Sequence, residues 1–219
     1  MDLIIRNARL FDRPDEPRDI GIANGRIVAI EPAVAADAPV HDAGGCLACP
    51  GLIESHIHLD KSRIIDRCVP QERRALSPVK GVTPLKPLMS VEDVRTRAAA
   101  TLEQCILHGA TRMRTQVEVD PAIGMRGFEA VQSLIADYKW AIEIEICVFP
   151  QEGLISFPGT DELLVEGLRR GARVLGGAPR YDTDEAGQIR RIFALAREFD
   201  VDLDIHLDVA RRDEHPPGA

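Results

Sequence analysis

Two histidines one residue apart, His56 and His58 in "GLIESHIHLDK", carry the clearest chemical potential in the chain. On a β-strand, residues i and i+2 point to the same face, so two imidazole nitrogens can reach one divalent ion at about 2.0–2.1 Å. Two imidazoles alone hold such an ion weakly. A third stands in "DIHLD", where His206 closes a later strand. His41, His108 and His215 lack such placement and read as surface or structural residues. Other polar residues gather just where apolar runs stop: Lys61, Gln116 and Glu118, Gln151 and Glu152, Arg180 and Asp182, and Asp208. Lys61 is a candidate proton carrier, since desolvation and a nearby metal lower an ammonium pKa. Asp182 is a candidate partner for it, although "YDTDE" also suits the start of a helix. Glu118 reads either as a group behind the site or as a solvated strand end, and Asp120 as a solvated strand end.

Those positions acquire meaning from the elements that present them. Residues 2–32 read as short strands, with Asn24-Gly25 as a hairpin turn. This predicts residues 1–50 to be part of a small β-sandwich. From residue 51 the rhythm becomes strand, loop, helix. "GLIESHIHL" precedes a long Pro-, Lys- and Arg-rich stretch up to Leu88 without periodicity, and loops of that length usually cover a site. Ser90 with Asp93 opens a helix that Gly109 stops; "GFEAVQSLIADY", "DELLVEGLRR" capped by Thr160, and "EAGQIRRIFALAREF" with Ile189, Ile192, Phe193 and Ala196 inward follow. Strands "TRMRTQVEVD", "AIEIEICVFP", "ARVLGGAP" and "VDLDIHLD" alternate with them. Such βαβ units build a parallel sheet. No Gly-rich nucleotide fingerprint follows the first strand, and the polar residues collect at strand ends, as at the mouth of a (β/α)8 barrel. The expected fold is therefore α/β: a TIM-type barrel cut after about five strands over residues 51–208, followed by a polar tail at 209–219.

Composition limits the partners. A formal net charge of −8 disfavours nucleic acid and anionic membranes. No apolar run approaches the roughly 18 residues of a membrane span, and the N-terminal residues lack a secretory pattern, so a cytoplasmic protein acting on a small molecule is expected. Five cysteines fit a reducing compartment, with Cys46 and Cys49 expected as small buried residues. Trp140 is expected to pack near the barrel bottom.

"PGLIESHIHLDK", "TRMRTQVEVD", "FPQEGLISFPG" and "DIHLD", in that order, resemble the metal-dependent amidohydrolase superfamily. Within it, they look like the cytosine deaminase-like branch that includes N-isopropylammelide amidohydrolases. The resemblance implies a β-sandwich paired with a deformed (β/α)8 barrel that hydrolyses C–N bonds, not peptide bonds, in cyclic amidines and related heterocycles. It implies His56, His58 and His206 as metal ligands and Gln151 as a substrate contact. Binuclear members place a carboxylated lysine on the fourth strand, and "GARVLGGAPR" has none, which points to one ion, Zn²⁺ or Fe²⁺. The implied chemistry is metal-lowered water pKa and attack on an sp² ring carbon.

Two departures accompany the resemblance. Cytosine deaminases carry a glutamate three residues after the fifth-strand histidine, where this chain has Val209. Full-length members continue through three more strands. An open five-stranded sheet exposes its edges, so a homo-oligomer is expected. The alternative to an enzyme is an inactive remnant, or a subunit that needs a second chain to complete the barrel.

Overall fold

Asn24 and Gly25 both take left-handed backbone angles, φ 50° and 68°, and turn the chain between two antiparallel strands. The hairpin belongs to the first of two compact units, Met1–Gly51 and Leu52–Ala219, in a computed structural model that describes residues 1–35, 37–68 and 78–207. In the first unit β1 (Leu3–Leu10), β2 (Arg13–Ala23) and β3 (Arg26–Glu31) form a meander, and β4 (Val40–Asp42) and β5 (Leu47–Ala48) both pair with β1 in parallel. Ile4, Ala8, Ile20 and Val34 are its buried apolar residues. Cys46 and Cys49 are exposed there, contrary to the expectation of burial; they flank the two-residue strand β5, whose Leu47 is itself exposed.

The second unit holds a five-stranded parallel sheet of β6 (Leu52–Ile57), β7 (Ala110–Glu118), β8 (Glu143–Phe149), β9 (Val174–Gly177) and β10 (Asp202–Ile205), in the order β10-β9-β8-β7-β6. Its helices are α1 (Pro78–Val82), α2 (Val91–Leu107), α3 (Arg126–Tyr138), α4 (Thr160–Arg169) and α5 (Glu185–Phe199). Sequential parallel pairing of this kind follows from βαβ connections. One sheet face is apolar: Met113 and Val117 of β7 and Ile144, Ile146 and Val148 of β8 join Leu102, Phe128, Leu134, Leu164, Ile192 and Leu195 of the helices in one core. The alternate residues, Arg112, Arg114 and Gln116 on β7 and Glu143 and Glu145 on β8, point to the other face, where Arg114 Nε donates to Glu145 at 2.7 Å.

Two helix starts, those of α2 and α5, are capped by side chains as local chemistry suggests. Ser90 Oγ accepts from Asp93 N at 3.1 Å, and Asp184 Oδ1 accepts from Gly187 N at 2.8 Å. Thr160 does not cap α4; it is the first helical residue, buried, and Gly159 at φ 99° takes the cap position. On α5 the buried positions are Gln188, Ile192, Leu195 and Ala196, so Phe193 faces outward at 43% exposure. Trp140 is 77% exposed rather than packed, because it sits in the turn after α3 and not in β8. The stretch expected as a loop after β6 contains 3-10 turns at Leu59–Lys61 and Ile65–Arg67, then α1 and a further 3-10 segment, Thr83–Leu88. Asp208, Val209 and His215 lie outside the described residues. Among those described, no helix is long and apolar enough to cross a membrane.

Candidate metal centre and adjoining cavity

β6 and β10 are the two edges of the sheet in sequence, yet curling of the sheet brings their carboxyl ends together. His206 N donates to Gly177 O at 2.8 Å, which continues the β9–β10 ladder and aims the ring inward. His58 Nε2 and His206 Nε2 lie 3.3 Å apart, and the ligand nitrogens of His56, His58 and His206 all fall within 4.8 Å of one another. Tetrahedral zinc–imidazole bonds of about 2.0–2.1 Å separate their nitrogens by about 3.3–3.4 Å, so the His58–His206 edge already fits. Burial lowers the His58 pKa to about 3, helped by Lys61 and the other two histidines. Burial, followed by His56, lowers that of His206. Both rings are thus neutral, with lone pairs available for a cation, and their Nδ1 atoms are buried without a hydrogen-bond partner among the described residues. These donors fit a divalent ion.

Phe149 forms the floor of this cluster. Its ring stacks on His206 at 5.3 Å between centroids and meets His58 edge-on at 5.4 Å. Gly176 makes room for it: a Cβ there would stand 2.7 Å from Phe149 Cβ and 2.9 Å from Asp204 O. Asp204, also on β10, accepts from Gln116 Nε2 at 3.0 Å and presents its other oxygen 4.0 Å from His56 Nδ1. Neither Phe149 nor Asp204 stands out in the sequence. The period-2 alternation that puts His206 inward also puts Asp204 inward, and that signal could have found it.

Beside the histidines lies a cavity of about 500 Å³ bordered by His58, Lys61, Gln151 and Glu152, with Ile64 and Val82 among its apolar lining. Lys61 Nζ is 2.6 Å from Glu118 Oε2 and 5.3 Å from the Phe149 ring centroid, so it is a paired rim group and not a free loop lysine. The 3-10 turn that carries Lys61 is pinned by Leu59 N to Thr115 Oγ1 at 3.1 Å and by Glu118 N to Asp60 Oδ2 at 3.0 Å. Burial raises the pKa of Asp60, and it raises that of Glu118 while Lys61 and Lys86 pull the latter down. Asp120, expected in solvent, is 2% exposed. It accepts from Lys86 Nζ at 2.5 Å and from the backbone N–H groups of Ala122 and Ile123, which outweigh burial and lower its pKa.

Gln151 is buried at 7% exposure and reaches the cavity. The turn after it requires Gly153, whose φ is 132° and whose Cβ would stand 2.2 Å from Ser156 Oγ. Asp182 is not brought to Lys61. Its oxygens accept from the backbone N–H groups of Leu154 (2.7 Å), Ile155 (2.9 Å) and Ser156 (2.9 Å) and from Gln188 Nε2 (2.8 Å). Burial opposes the charge, but these donors prevail and hold Asp182 well below the usual carboxylate range. The pairing expected between Asp182 and Lys61 is thereby corrected: Glu118 takes that place, because three converging N–H groups are a better site for Asp182. His41 and His108 are exposed, the latter bonded through Nδ1 to Gln104 O at 2.7 Å.

A curled parallel half-barrel with imidazoles converging at its carboxyl end, together with a separate small sheet, is shared with structural neighbours that are TIM-barrel proteins of the amidohydrolase superfamily. No protein-family model matches the chain. It is 32% identical over 216 residues to the N-isopropylammelide isopropyl amidohydrolase of Pseudomonas sp. (strain ADP), covering 94% of this chain and 53% of that protein. The N-isopropylammelide isopropylaminohydrolase structure from Burkholderia multivorans superposes with TM-score 0.82 at 32% identity, covering 97% of this chain and 54% of the other. The 5-methylcytosine deaminase of Klebsiella pneumoniae liganded with 5-fluorocytosine gives TM-score 0.83 at 28% identity, with 94% and 51% covered. The chain is thus a homologue of amidohydrolase-superfamily proteins of the cytosine deaminase and N-isopropylammelide amidohydrolase branch, and matches their N-terminal part. It spans about half the length of the curated relatives it matches.

Proposed function

We propose that this chain carries the metal-binding part of an aminohydrolase site that cleaves a C–N bond in a small cyclic amidine or related heterocycle. One divalent ion, Zn²⁺ or Fe²⁺, is held by His56, His58 and His206. The observation that carries this reading is the 3.3 Å approach of two imidazole nitrogens whose environment keeps them neutral. Homology to the amidohydrolases and deaminases supports the substrate class. A single ion is supported by Lys86, whose ammonium already occupies the nearby carboxylate group of Glu118, Asp120 and Glu152.

When bound, the ion supplies Lewis acidity and an activated water for addition to an sp² ring carbon. The chain's own residues bind and move protons. Gln151 offers both an amide donor and an acceptor to the ring's N–C=O edge. Lys61 gives a proton to the departing nitrogen, and Glu118 Oε2, 2.6 Å from its Nζ, holds the ammonium toward the cavity. Asp182 fixes the turn that follows Gln151 instead of moving a proton. The apolar lining, including Ile64 and Val82, excludes water from one side of the ring.

The chain's coverage of about half of its relatives favours a second reading, in which turnover needs a further polypeptide. Elemental analysis of the purified chain and of His56→Ala tests the metal site: one equivalent of Zn or Fe in the former and none in the latter is expected. Equal, substoichiometric metal in both would overturn it. Ammonia or amine release from cytosine-like, triazine and pterin-like heterocycles tests the reaction, and metal without turnover would select the second reading.

A further inference from the structure

Glu118, Asp120 and Glu152 converge as a group that could hold a cation, and a side chain of the protein itself fills that position. Lys86 is 2% exposed. Its Nζ lies 2.5 Å from Glu118 Oε1 and 2.5 Å from Asp120 Oδ2, and it also bonds Glu152 Oε1. An ammonium has three donors and no acceptor, so three carboxylates saturate it. The same Glu152 oxygen lies 2.6 Å from Thr83 Oγ1, and the carbonyl of Lys86 accepts from Arg126 Nη2 at 2.9 Å. The carboxylate contacts tie the segment 79–88 to the carboxyl end of the sheet, since Glu118 ends β7, Asp120 follows it and Glu152 follows β8, and Arg126 ties it to the start of α3. That segment supplies Val79, Gly81, Val82 and Lys86 to the cavity, opposite Lys61 and Gln151. Glu118 serves both lysines, one through each oxygen.

We propose that Lys86 is a positioning residue: an internal cation that latches segment 79–88 as a wall of the cavity and holds Glu118 so that its second oxygen faces Lys61. Where the cavity is called a substrate cavity, this rests on the reading given above; the latch itself does not. Without Lys86 three carboxylates remain together in a buried place, so they spread or take up protons and the wall lifts. The charge has to come from a compact primary ammonium, because converging acceptors suit neither a planar fork nor a methylated cation.

Hydrogen exchange of the full chain, read by mass spectrometry on peptides covering 79–88, tests the latch. Lys86→Ala is expected to speed exchange there by at least about tenfold beyond the increase that α3 and α5 share through the lower global stability. Methylammonium chloride restores protection, and tetramethylammonium chloride at the same concentration does not. Unchanged exchange in Lys86→Ala, or equal rescue by both salts, would overturn the proposal. Should Lys86→Ala lose protection throughout, Glu152→Gln decides: it keeps the shape and removes one charge, and faster exchange confined to 79–88 is expected, whereas unchanged exchange there overturns the latch. With a heterocyclic substrate, Lys86→Ala raises KM by at least about tenfold and methylammonium lowers it again. A fall in kcat at unchanged KM would count against the wall. If the wild-type chain shows no turnover, the functional reading falls and the exchange measurements still decide the latch.

Discussion

At the rim of the half-barrel, His56, His58 and His206 face one another, with the Asp204 carboxylate 4.0 Å from His56 Nδ1. Next to them, Lys61 and Lys86 share Glu118, and Asp120 and Glu152 complete the carboxylates around the ammonium of Lys86. The lysine cluster is buried, whereas the histidine cluster is half-buried with His56 exposed, and the two meet the cost of lost water differently. Burial lowers the pKa of His58 and His206, which favours their neutral forms with lone pairs exposed to an outside cation. The lysine cluster keeps its charges and compensates them internally, which leaves no demand for an ion. The difference teaches that neighbouring polar clusters in one fold divide the work: one is open to a ligand, the other is a closed structural element.

Removing the internal cation is expected to give the largest effect. Lys86→Met should cost about 3–5 kcal/mol in denaturant unfolding, since breaking a buried ion pair strands its partners, while metal stoichiometry stays at the wild-type value. If stability hardly changes, the contrast between the clusters collapses. His58→Ala should do the reverse. Zn²⁺ is expected to stabilise the wild-type chain by about 2.7 kcal/mol at a free concentration one hundred times Kd, and not to stabilise this variant, in thermal melts. Persistence of the zinc effect would locate the ion elsewhere.

Asp182→Ala should cost roughly 1.5–3 kcal/mol, because the N–H groups of Leu154, Ile155 and Ser156 lose a charged acceptor. A loss of turnover without loss of stability would instead make Asp182 a proton carrier. Taken per pH unit, the smallest effect is the response to pH. His58 has a folded pKa of about 3 against an ordinary 6.5, so the unfolded chain takes up the proton first as pH falls. Stability of the metal-free chain should therefore decline between pH 6.5 and about 3, by up to about 1.4 kcal/mol per unit from this group. Chelator-treated wild type compared with His58→Phe in urea titrations isolates that slope, and identical slopes would show that His58 is not buried neutral.

Much of the sheet was legible because local patterns repeat. The alternation in "AIEIEICVFP" marks β8, the Ser90 cap marks the start of α2, and "EAGQIRRIFALAREF" coincides with α5. Failures occur where tertiary surroundings override the local pattern. Thr160 resembles a cap, but Gly159 can adopt the left-handed angle and Thr160 is drawn into the core. Asp120 looks like a solvated strand end until Lys86 arrives from 34 residues away. Segment 79–88 has no periodicity to read, since its two prolines at 84 and 87 and its 3-10 geometry present no regular face.

By itself the sequence determined which residues could bind a metal and which strand face they share, because the direction of a side chain along a strand is a local property of the backbone. Only the tertiary structure decided that His58 and His206, 148 positions apart, come within 3.3 Å. It also decided that Asp182 serves a turn and that Lys86 closes the acidic cluster. Those outcomes depend on the curl of the sheet and on competition among donors for each carboxylate, and neither is encoded in spacing along the chain.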